Sequence, residues 1–351
     1  MARAKVLKIL AAAVGVLVLG GAAVAWAMWP EVDEVPEELA EVSAEVSIAD
    51  LALEAQGKLP AVRIGDLRGK TVFLMIEGRE SMTGGEGKLL HRAIHRWQLP
   101  DDVVGFSVGD APAGAVLMRE KIENEFLGPM QAEMKLPIYM DYGGSFTSAL
   151  SLPKGHLGFA IIDAEGELAY RYAGDPGEAE LAEIKALLRA EEPAPGPPAP
   201  AFTLEGVAED HCAGRRCALV FLDAKVARSE IPGIEGGFEG DMKESFAQIA
   251  KPSVRLARAI ASDWDSADRD EVAGAIIGEV EGWEVEGWPV VAEAASAREA
   301  FEIGDQAAMV ILDEQGRVSF VETGVIPFWK LMLAADLLGI EPKPREDRER
   351  E

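Results

Sequence analysis

The internal repeat of this chain constrains its fold more than any other feature, because four short blocks occur twice in the same order. The second copies follow the first on the far side of a proline-rich segment. The paired blocks are residues 69–74 and 216–222, 101–109 and 270–278, 136–141 and 288–293, and 160–170 and 310–320. One such match would mean little, whereas four in order indicate that one domain has been duplicated.

The proline-rich segment at residues 191–200 contains five prolines. Proline interrupts helices and cannot donate a hydrogen bond within a sheet, so this segment is interpreted as a semi-rigid linker. A chain of 351 residues is long enough for two domains at roughly 100–200 residues each. The sequence therefore predicts a first domain at 48–190, a second at 201–340 and a charged tail at 341–351.

Strand and helix patterns within each copy predict an α/β fold. Short runs rich in Val, Ile and Phe are typical of strands buried on both faces. Turns at residues 163–166 and 313–316 each join two apolar runs, which is a hairpin signal. Helical patterns lie between the runs, at residues 87–97, 116–126 and 178–188 in the first copy and 241–250, 253–260 and 326–338 in the second. This order predicts a central mixed sheet with helices on both faces.

The N-terminus is predicted to place the body of the protein outside the cytoplasm. Arg3, Lys5 and Lys8 precede an uncharged run of 21 residues at 9–29, and a transmembrane helix needs roughly 20 apolar residues. Basic residues before the run put its start in the cytoplasm. We expect a transmembrane anchor at residues 1–30, so that the membrane is one partner. The alternative is a cleaved signal peptide, since residues 23–25 (Ala-Val-Ala) offer a cleavage pattern.

The charge of the chain excludes some partners. Its 61 acidic and 34 basic residues give a formal net charge of −27. Nucleic-acid binding is not expected, because a phosphate backbone is held mainly by clustered Lys and Arg. An acidic spacer is predicted at residues 31–47, between the anchor and the first domain. The remaining expected partner is an unknown protein in the exported compartment, which is the periplasm if the source is bacterial.

The order of elements and the repeated blocks resemble the thioredoxin-like superfamily, in particular its membrane-anchored thiol–disulfide oxidoreductases and peroxiredoxin-like proteins. In that family a Gly-Lys pair and an apolar strand lead into the redox loop, as residues 69–74 do here. A later strand ends in Ile-Asp and is followed by a turn glycine, as at residues 161–166. The resemblance covers roughly residues 48–190 and again 199–340. It implies two tandem thioredoxin-like domains.

Both copies depart from the family where its chemistry takes place. The family's Cys-x-x-Cys follows the first core strand, but residues 80–84 and 228–232 contain no cysteine. The degenerate redox-loop positions are Ser81, Gly84 and Ser229. Leu157 and Ala307 stand near the place of the proline that faces the redox pair in the family. Because thiol–disulfide exchange needs a thiolate, a serine cannot replace the cysteine at neutral pH.

The two cysteines of the chain, Cys212 and Cys217, lie upstream of the second redox loop. One interpretation is a structural disulfide that closes a short turn in an oxidising compartment. Another is a displaced redox pair, whose thiolate would be favoured by Arg215, Arg216 and a protonated His211. A metal site formed by the two cysteines and His211 is the third interpretation, but no fourth ligand is evident.

Other candidate positions have simpler interpretations. His91 and His95 are four residues apart on a predicted helix, and we expect a solvated helix face rather than a metal site. Ser81 is expected on a surface loop. No cofactor and no catalytic residue is predicted. The sequence thus favours an exported, membrane-tethered binding or scaffolding protein without dithiol catalysis at either redox loop, and the alternative is a thiol–disulfide oxidoreductase or redox sensor that uses Cys212 and Cys217.

Overall fold

The structure is a computed structural model of the whole chain, and it divides into two compact units, Met1–Glu191 and Glu192–Glu351. Each unit is described by itself. The residues that the structure describes are 32–42, 47–81, 86–111, 113–227, 251–263, 271–282, 285, 287–292 and 294–340.

Unit 1 contains seven strands within its described residues. Its strands are β1 Ala52–Leu53, β2 Val62–Arg63, β3 Thr71–Glu77, β4 Val103–Asp110, β5 Ile138–Asp141, β6 Gly158–Ile162 and β7 Leu168–Ala173. Its α-helices are α1 Lys88–Arg96, α2 Arg119–Lys121, α3 Gly128–Glu133, α4 Ser145–Ala149 and α5 Glu178–Leu187. Short 3₁₀ turns occur at Ile48–Asp50, Ile64–Leu67 and Ala113–Met118, and a π-helical turn occurs at Ile122–Leu127.

The main sheet of unit 1 is mixed and has the order β5-β4-β3-β6-β7. The central strand β3 is parallel to β4 and antiparallel to β6. All seven residues of β3 are buried and alternate between two apolar layers. Helices α1 and α5 cover one face, and α4 with β1 and β2 covers the other. The predicted mixed sheet with helices on both faces is confirmed for this unit.

Unit 2 builds a second sheet of the same design. Its strands are β8 Arg216–Phe221, β9 Val226–Ala227, β10 Val272–Ile277, β11 Val280–Glu281, β12 Val290–Val291, β13 Ala308–Leu312 and β14 Val318–Thr323. Its helices are α6 Pro252–Asp263, α7 Ala295–Ala300 and α8 Phe328–Leu338. The sheet order is β12-β10-β8-β13-β14, with β8 parallel to β10 and antiparallel to β13.

One glycine in each sheet contacts an aromatic ring, although the two rings come from different repeated blocks. A Cβ added at Gly105 of β4 would lie 2.0 Å from the Phe73 ring, and a Cβ at Gly274 of β10 would lie 2.3 Å from the Trp288 ring. The two glycines hold the same place in the repeated block. In both sheets an aromatic side chain packs onto the second core strand, where only glycine leaves room for it.

The predicted linker and part of the predicted spacer are hydrogen-bonded to the units. Within unit 2, the Val318 N–H donates to Pro197 and the Ala199 N–H donates to Gly316, so the linker pairs with the edge of β14. Within unit 1, residues 32–42 lie along the sheet's end, and Asp33 donates its N–H to the Lys154 carbonyl at 3.1 Å. Part of each segment therefore belongs to a folded unit.

Several predictions fall on residues outside the described ones: the anchor at 1–30, Gly84, Ser229, the helix at 241–250 and the tail at 341–351. Among the residues that the structure does describe, none of the helices has the length and apolar character needed to cross a bilayer.

Candidate functional site

The first candidate site is the loop that follows β3 in unit 1, where the resemblance implies a redox loop. Ser81 is half-buried there, and its hydroxyl donates to the Gly78 carbonyl at 3.0 Å. Gly78 packs against the backbone of residues 155–156, where an added Cβ would lie 2.3 Å from the Gly155 carbonyl carbon. The described part of the loop is thus pressed against the segment that precedes β6.

Glu86 connects this loop to the segment before β6. Its Oε2 atom accepts the Leu157 N–H at 2.6 Å, and its Oε1 atom lies 2.8 Å from Nδ1 of His156. Leu157 is fully buried and directly precedes β6, as the resemblance implies for the residue that faces the redox pair. A proline has no N–H group, so Leu157 forms a hydrogen bond that the family's proline could not form.

The N-terminus of α1 is held by a second carboxylate, that of Asp175. Gly87 precedes α1 with a positive φ of 75°, a conformation that favours glycine, and its N–H donates to Oδ1 of Asp175 at 2.9 Å. Here Asp175 and Glu86 occupy the two backbone donors at the site, so the polar groups next to the missing cysteines bind protein atoms.

His156 joins this cluster to the N-terminal segment. Its Nε2 atom lies 2.7 Å from the Asp33 carbonyl oxygen, opposite the contact of Nδ1 with Glu86. Burial alone would lower the pKa of His156. The hydrogen bond to Glu86, the Asp33 carbonyl and the charges of Glu86 and Glu80 outweigh burial and raise the pKa. His156 is therefore protonated at a higher pH in the folded protein than a free histidine side chain would be.

The expectation of a solvated face for His91 and His95 is wrong. His95 is 5% exposed, and Nε2 of His91 lies 3.0 Å from a carboxylate oxygen of Glu77 at the end of β3. The face that bears Leu90 and Ile94 packs on the sheet, and the two histidines lie beside those residues on the inward side. Groups of three or more metal-ligating side chains are absent from the described part of the chain.

Unit 2 has a different polar pair at the corresponding strand end. The Asp223 N–H donates to the Ser253 hydroxyl at 2.8 Å, and that hydroxyl donates to the Asp223 carboxylate. Ser253 is buried near the start of α6. Ala307 is fully buried and directly precedes β13, as Leu157 precedes β6. At this end of β8, the two hydrogen bonds join Asp223 to the first turn of α6.

Cys212 and Cys217 form a disulfide, with Cα atoms 5.4 Å apart. Cys217 lies in β8 and is fully buried, while Cys212 is half-buried against the same apolar layer. The disulfide is at the beginning of β8, whereas the redox loop of the resemblance would follow its end. At about 3.3 Å per residue, the four steps from Cys217 to Phe221 separate the two places by about 13 Å.

The charged residues near the disulfide bind other groups. Arg216 forms ion pairs with Glu271 at 3.0 Å and Glu314 at 3.5 Å, and Arg215 donates to the His211 carbonyl. His211 Nε2 lies 2.8 Å from the Gly274 carbonyl. The side chains that were expected to favour a thiolate therefore bind two glutamates and two backbone carbonyls.

The sequence did not predict the contacts of the unit 1 cluster that join residues far apart in the chain. It did not single out Glu86, His156 or Asp33. One local signal was available, since His156 stands directly before Leu157, the residue already placed opposite the redox loop. The bond from Glu86 to Leu157 spans 71 residues and has no local signature.

Comparisons with known proteins give structural matches alone. No protein-family model matches the chain, and no curated protein matches it significantly. The exposed lipoprotein thioredoxin of Streptococcus pneumoniae is 21% identical over 40% of this chain and 98% of its own, with a TM-score of 0.29. A thiol–disulfide isomerase from Corynebacterium glutamicum is 17% identical over 43% of this chain and 95% of its own, with a TM-score of 0.32.

A third match is a protein from Chlorobium tepidum described as a putative thiol:disulfide interchange protein DsbE. It is 17% identical over 46% of this chain and 99% of its own, with a TM-score of 0.27. Each match spans less than half of this chain. The strand order of the two mixed sheets agrees with the resemblance found in the sequence.

Proposed function

We propose that this protein is an exported, membrane-tethered pair of tandem thioredoxin-like domains that binds or scaffolds a protein partner without dithiol catalysis at either redox loop. The observation that carries the proposal is the hydrogen bond from the Leu157 N–H to Glu86. At the surface where the family presents its redox pair to a substrate, a half-buried carboxylate and a histidine bind the protein's own backbone.

The position of the disulfide supports the same proposal. Exchange requires a thiolate to reach one of the sulfur atoms. Cys217 is fully buried in the central strand of the sheet, and Cys212 packs against the core beside it. A bond in this place is suited to holding the turn 212–217 against β8. In the chain-entropy estimate, a loop this short contributes about 2 kcal/mol to the free energy of unfolding.

Export and tethering rest on the sequence. The basic start, the uncharged run at 9–29 and the acidic residues after it favour an anchor with the body outside the cytoplasm. A disulfide between the only two cysteines is consistent with an oxidising compartment. Mass spectrometry of the native protein would show whether residues 1–30 remain attached.

The test of this proposal is the redox behaviour of the full chain. We expect a reduction potential below about −300 mV for the Cys212–Cys217 pair, which is typical of structural disulfides, and no turnover of a mixed-disulfide substrate. A thioredoxin with an intact Cys-x-x-Cys serves as the positive control for the assay. The Cys212→Ala/Cys217→Ala variant gives the background rate.

The competing function is a thiol–disulfide oxidoreductase or redox sensor that uses this pair. Its structural support is that Cys212 is only half-buried. A higher potential, together with turnover that disappears in the double variant, would establish this function and overturn the binding proposal.

A further inference from the structure

The N-terminal segment at residues 32–42, named the strap here, lies along unit 1 beside the residue that precedes β6. Five of its eleven residues are acidic, and none is basic. Most of its side chains are exposed, while Val32, Leu39 and Val42 are half-buried. Leu39 packs against the apolar layer of the sheet. The strap is thus held by few side chains.

Backbone hydrogen bonds fix the beginning of the strap. The Asp33 N–H donates to the Lys154 carbonyl at 3.1 Å, and the Lys154 N–H donates to the Asp33 carboxylate at 2.9 Å. Gly155 has a φ of 83°, and a Cβ added there would lie 3.0 Å from the Val32 side chain. This close approach needs glycine for both its conformation and its size.

Arg171 fixes the end of the strap. Its guanidinium donates to the Leu150 carbonyl at 2.8 Å and, through another nitrogen, to the carbonyls of Leu39 at 3.3 Å and Ala40. Ser151 donates its hydroxyl to the Glu41 carbonyl at 3.3 Å. Both contacts recognise main-chain carbonyls, which any extended peptide presents. The face formed by residues 150–156 and Arg171 is therefore suited to an extended segment of varied sequence.

His156 makes the contact between strap and face depend on protonation. The Asp33 carbonyl oxygen lies at Nε2 of the ring, and the Glu86 carboxylate lies at Nδ1, so each can accept a hydrogen bond from the ring. The same carboxylate accepts the Leu157 N–H. A neutral imidazole has one N–H, so both contacts are satisfied together only when the ring carries two. The charged groups that face this ring are the carboxylates of Glu86 and Glu80, and Asp33 and Lys154 adjoin it through the strap contact.

We propose that the face formed by residues 150–156 and Arg171 is a docking site for an extended protein segment that has an Asp followed six residues later by an aliphatic side chain. The strap occupies this site in cis. His156 holds the bound segment when the His156 ring is in the imidazolium form. The inference rests on the proposed binding function and names the partner's chemistry. The strap itself has this pattern, with Asp33 and Leu39.

Hydrogen–deuterium exchange of the full chain tests the strap, with rates corrected for the intrinsic effect of pH. We expect the Asp33 amide to lose about tenfold or more of its protection between about pH 6 and pH 8.5, because the ring then gives up one charge-assisted hydrogen bond. His156→Gln should remove most of this pH dependence. His91→Gln is the matched control, since His91 also pairs with a carboxylate but does not contact the strap.

A labelled peptide with the sequence of residues 32–42 tests the docking site. The full-chain variant Asp33→Ala/Leu39→Asp weakens the resident strap, and amide exchange in β3 and β6 reports whether unit 1 stays folded. We expect fluorescence anisotropy to show that the peptide binds this variant, and that it binds more weakly at about pH 8.5 than at about pH 6. Binding to the wild type should be at least about tenfold weaker, because the strap already occupies its docking site. A peptide with the Asp and Leu positions exchanged is the control.

Each outcome bears on the proposal. Equal strap protection at both pH values would overturn the role of His156. A strap that keeps its protection in the double variant would overturn the assigned contacts, and a released strap with no peptide binding would overturn the docking site. Failure of the proposed function is a separate result, because it would appear as thiol-exchange turnover by the Cys212–Cys217 pair.

Discussion

Three histidines of unit 1 show how strongly the surroundings of a residue decide its chemistry. Burial lowers the pKa of His91, but the charge and hydrogen bond of Glu77 outweigh burial and raise it. Burial, with the nearby His91 and Lys135, lowers the pKa of His95 to about 3. Burial would lower the pKa of His156, but the contacts with Glu86 and the Asp33 carbonyl outweigh burial and raise the pKa. The surroundings therefore shift the pKa of identical side chains in opposite directions.

His95 is expected to make unit 1 sensitive to acid. Below its ordinary pKa of 6.5 the unfolded chain binds a proton at this residue, and the folded chain does not until about pH 3, so stability falls as the pH falls. We expect His95→Gln to flatten the decline by up to about 1.4 kcal/mol per pH unit. Urea unfolding between about pH 4 and 8 measures it.

His91→Gln is expected to change the pH dependence of stability in the opposite direction to His95→Gln. A raised pKa contributes stability that is present below pH 6.5 and is lost as the pH rises through the folded value, so this variant should lose more stability in acid than in base. The interpretation of both histidines would be wrong if the two variants showed the same pH dependence.

At the scale of elements, the end of α1 is completed by a residue from another part of unit 1. The Lys135 ammonium donates to the carbonyls of Ile94, His95 and Trp97 at 2.9, 3.0 and 3.2 Å. These acceptors belong to the last turn of α1 and to its cap, where carbonyl groups lack partners within the helix and a positive charge is favourable. Burial lowers the pKa of Lys135. The contact joins α1 to the segment that leads into β5.

Removal of this ammonium should destabilise unit 1. We expect Lys135→Met to lower the free energy of unfolding by about 1–3 kcal/mol, because carbonyl groups lose a charged donor. The exposed Lys58→Met is the matched control and should change stability by less than about 0.5 kcal/mol. Amide exchange should accelerate in α1 specifically, and unchanged exchange there would contradict the capping role.

At the scale of the whole molecule, each unit has its own apolar core. Two buried clusters lie on the faces of the unit 1 sheet, and two others lie on the faces of the unit 2 sheet. The described members of each cluster come from one unit. The disulfide belongs to unit 2, and the strap and the histidine cluster belong to unit 1.

Calorimetry of the full chain should therefore show two unfolding transitions. Reduction of the disulfide should lower one of them by about 4–8 °C, since about 2 kcal/mol is lost from a unit of this size, and should leave the other unchanged. The Cys212→Ala/Cys217→Ala variant should reproduce the shift without reductant. A single transition, or a shift of both, would show that the units do not unfold independently.

The sequence by itself determined the mixed α/β sheets, the central strands and the absence of cysteine from both redox loops. These features depend on residues close together in the chain, where the alternation of apolar side chains and the positions of glycine and proline act directly. The repeat also identified Gly105 and Gly274 as equivalent before their aromatic neighbours were known.

Tertiary structure decided which residues meet. The His91 and His95 pattern had the spacing of a helix face but no sign of which way that face pointed. It lies inward because it adjoins Leu90 and Ile94, which pack on the sheet. Glu86 meets Leu157 across 71 residues, and Asp33 meets His156 across 123. Such contacts depend on where the chain returns after folding, and local periodicity holds no information about that return.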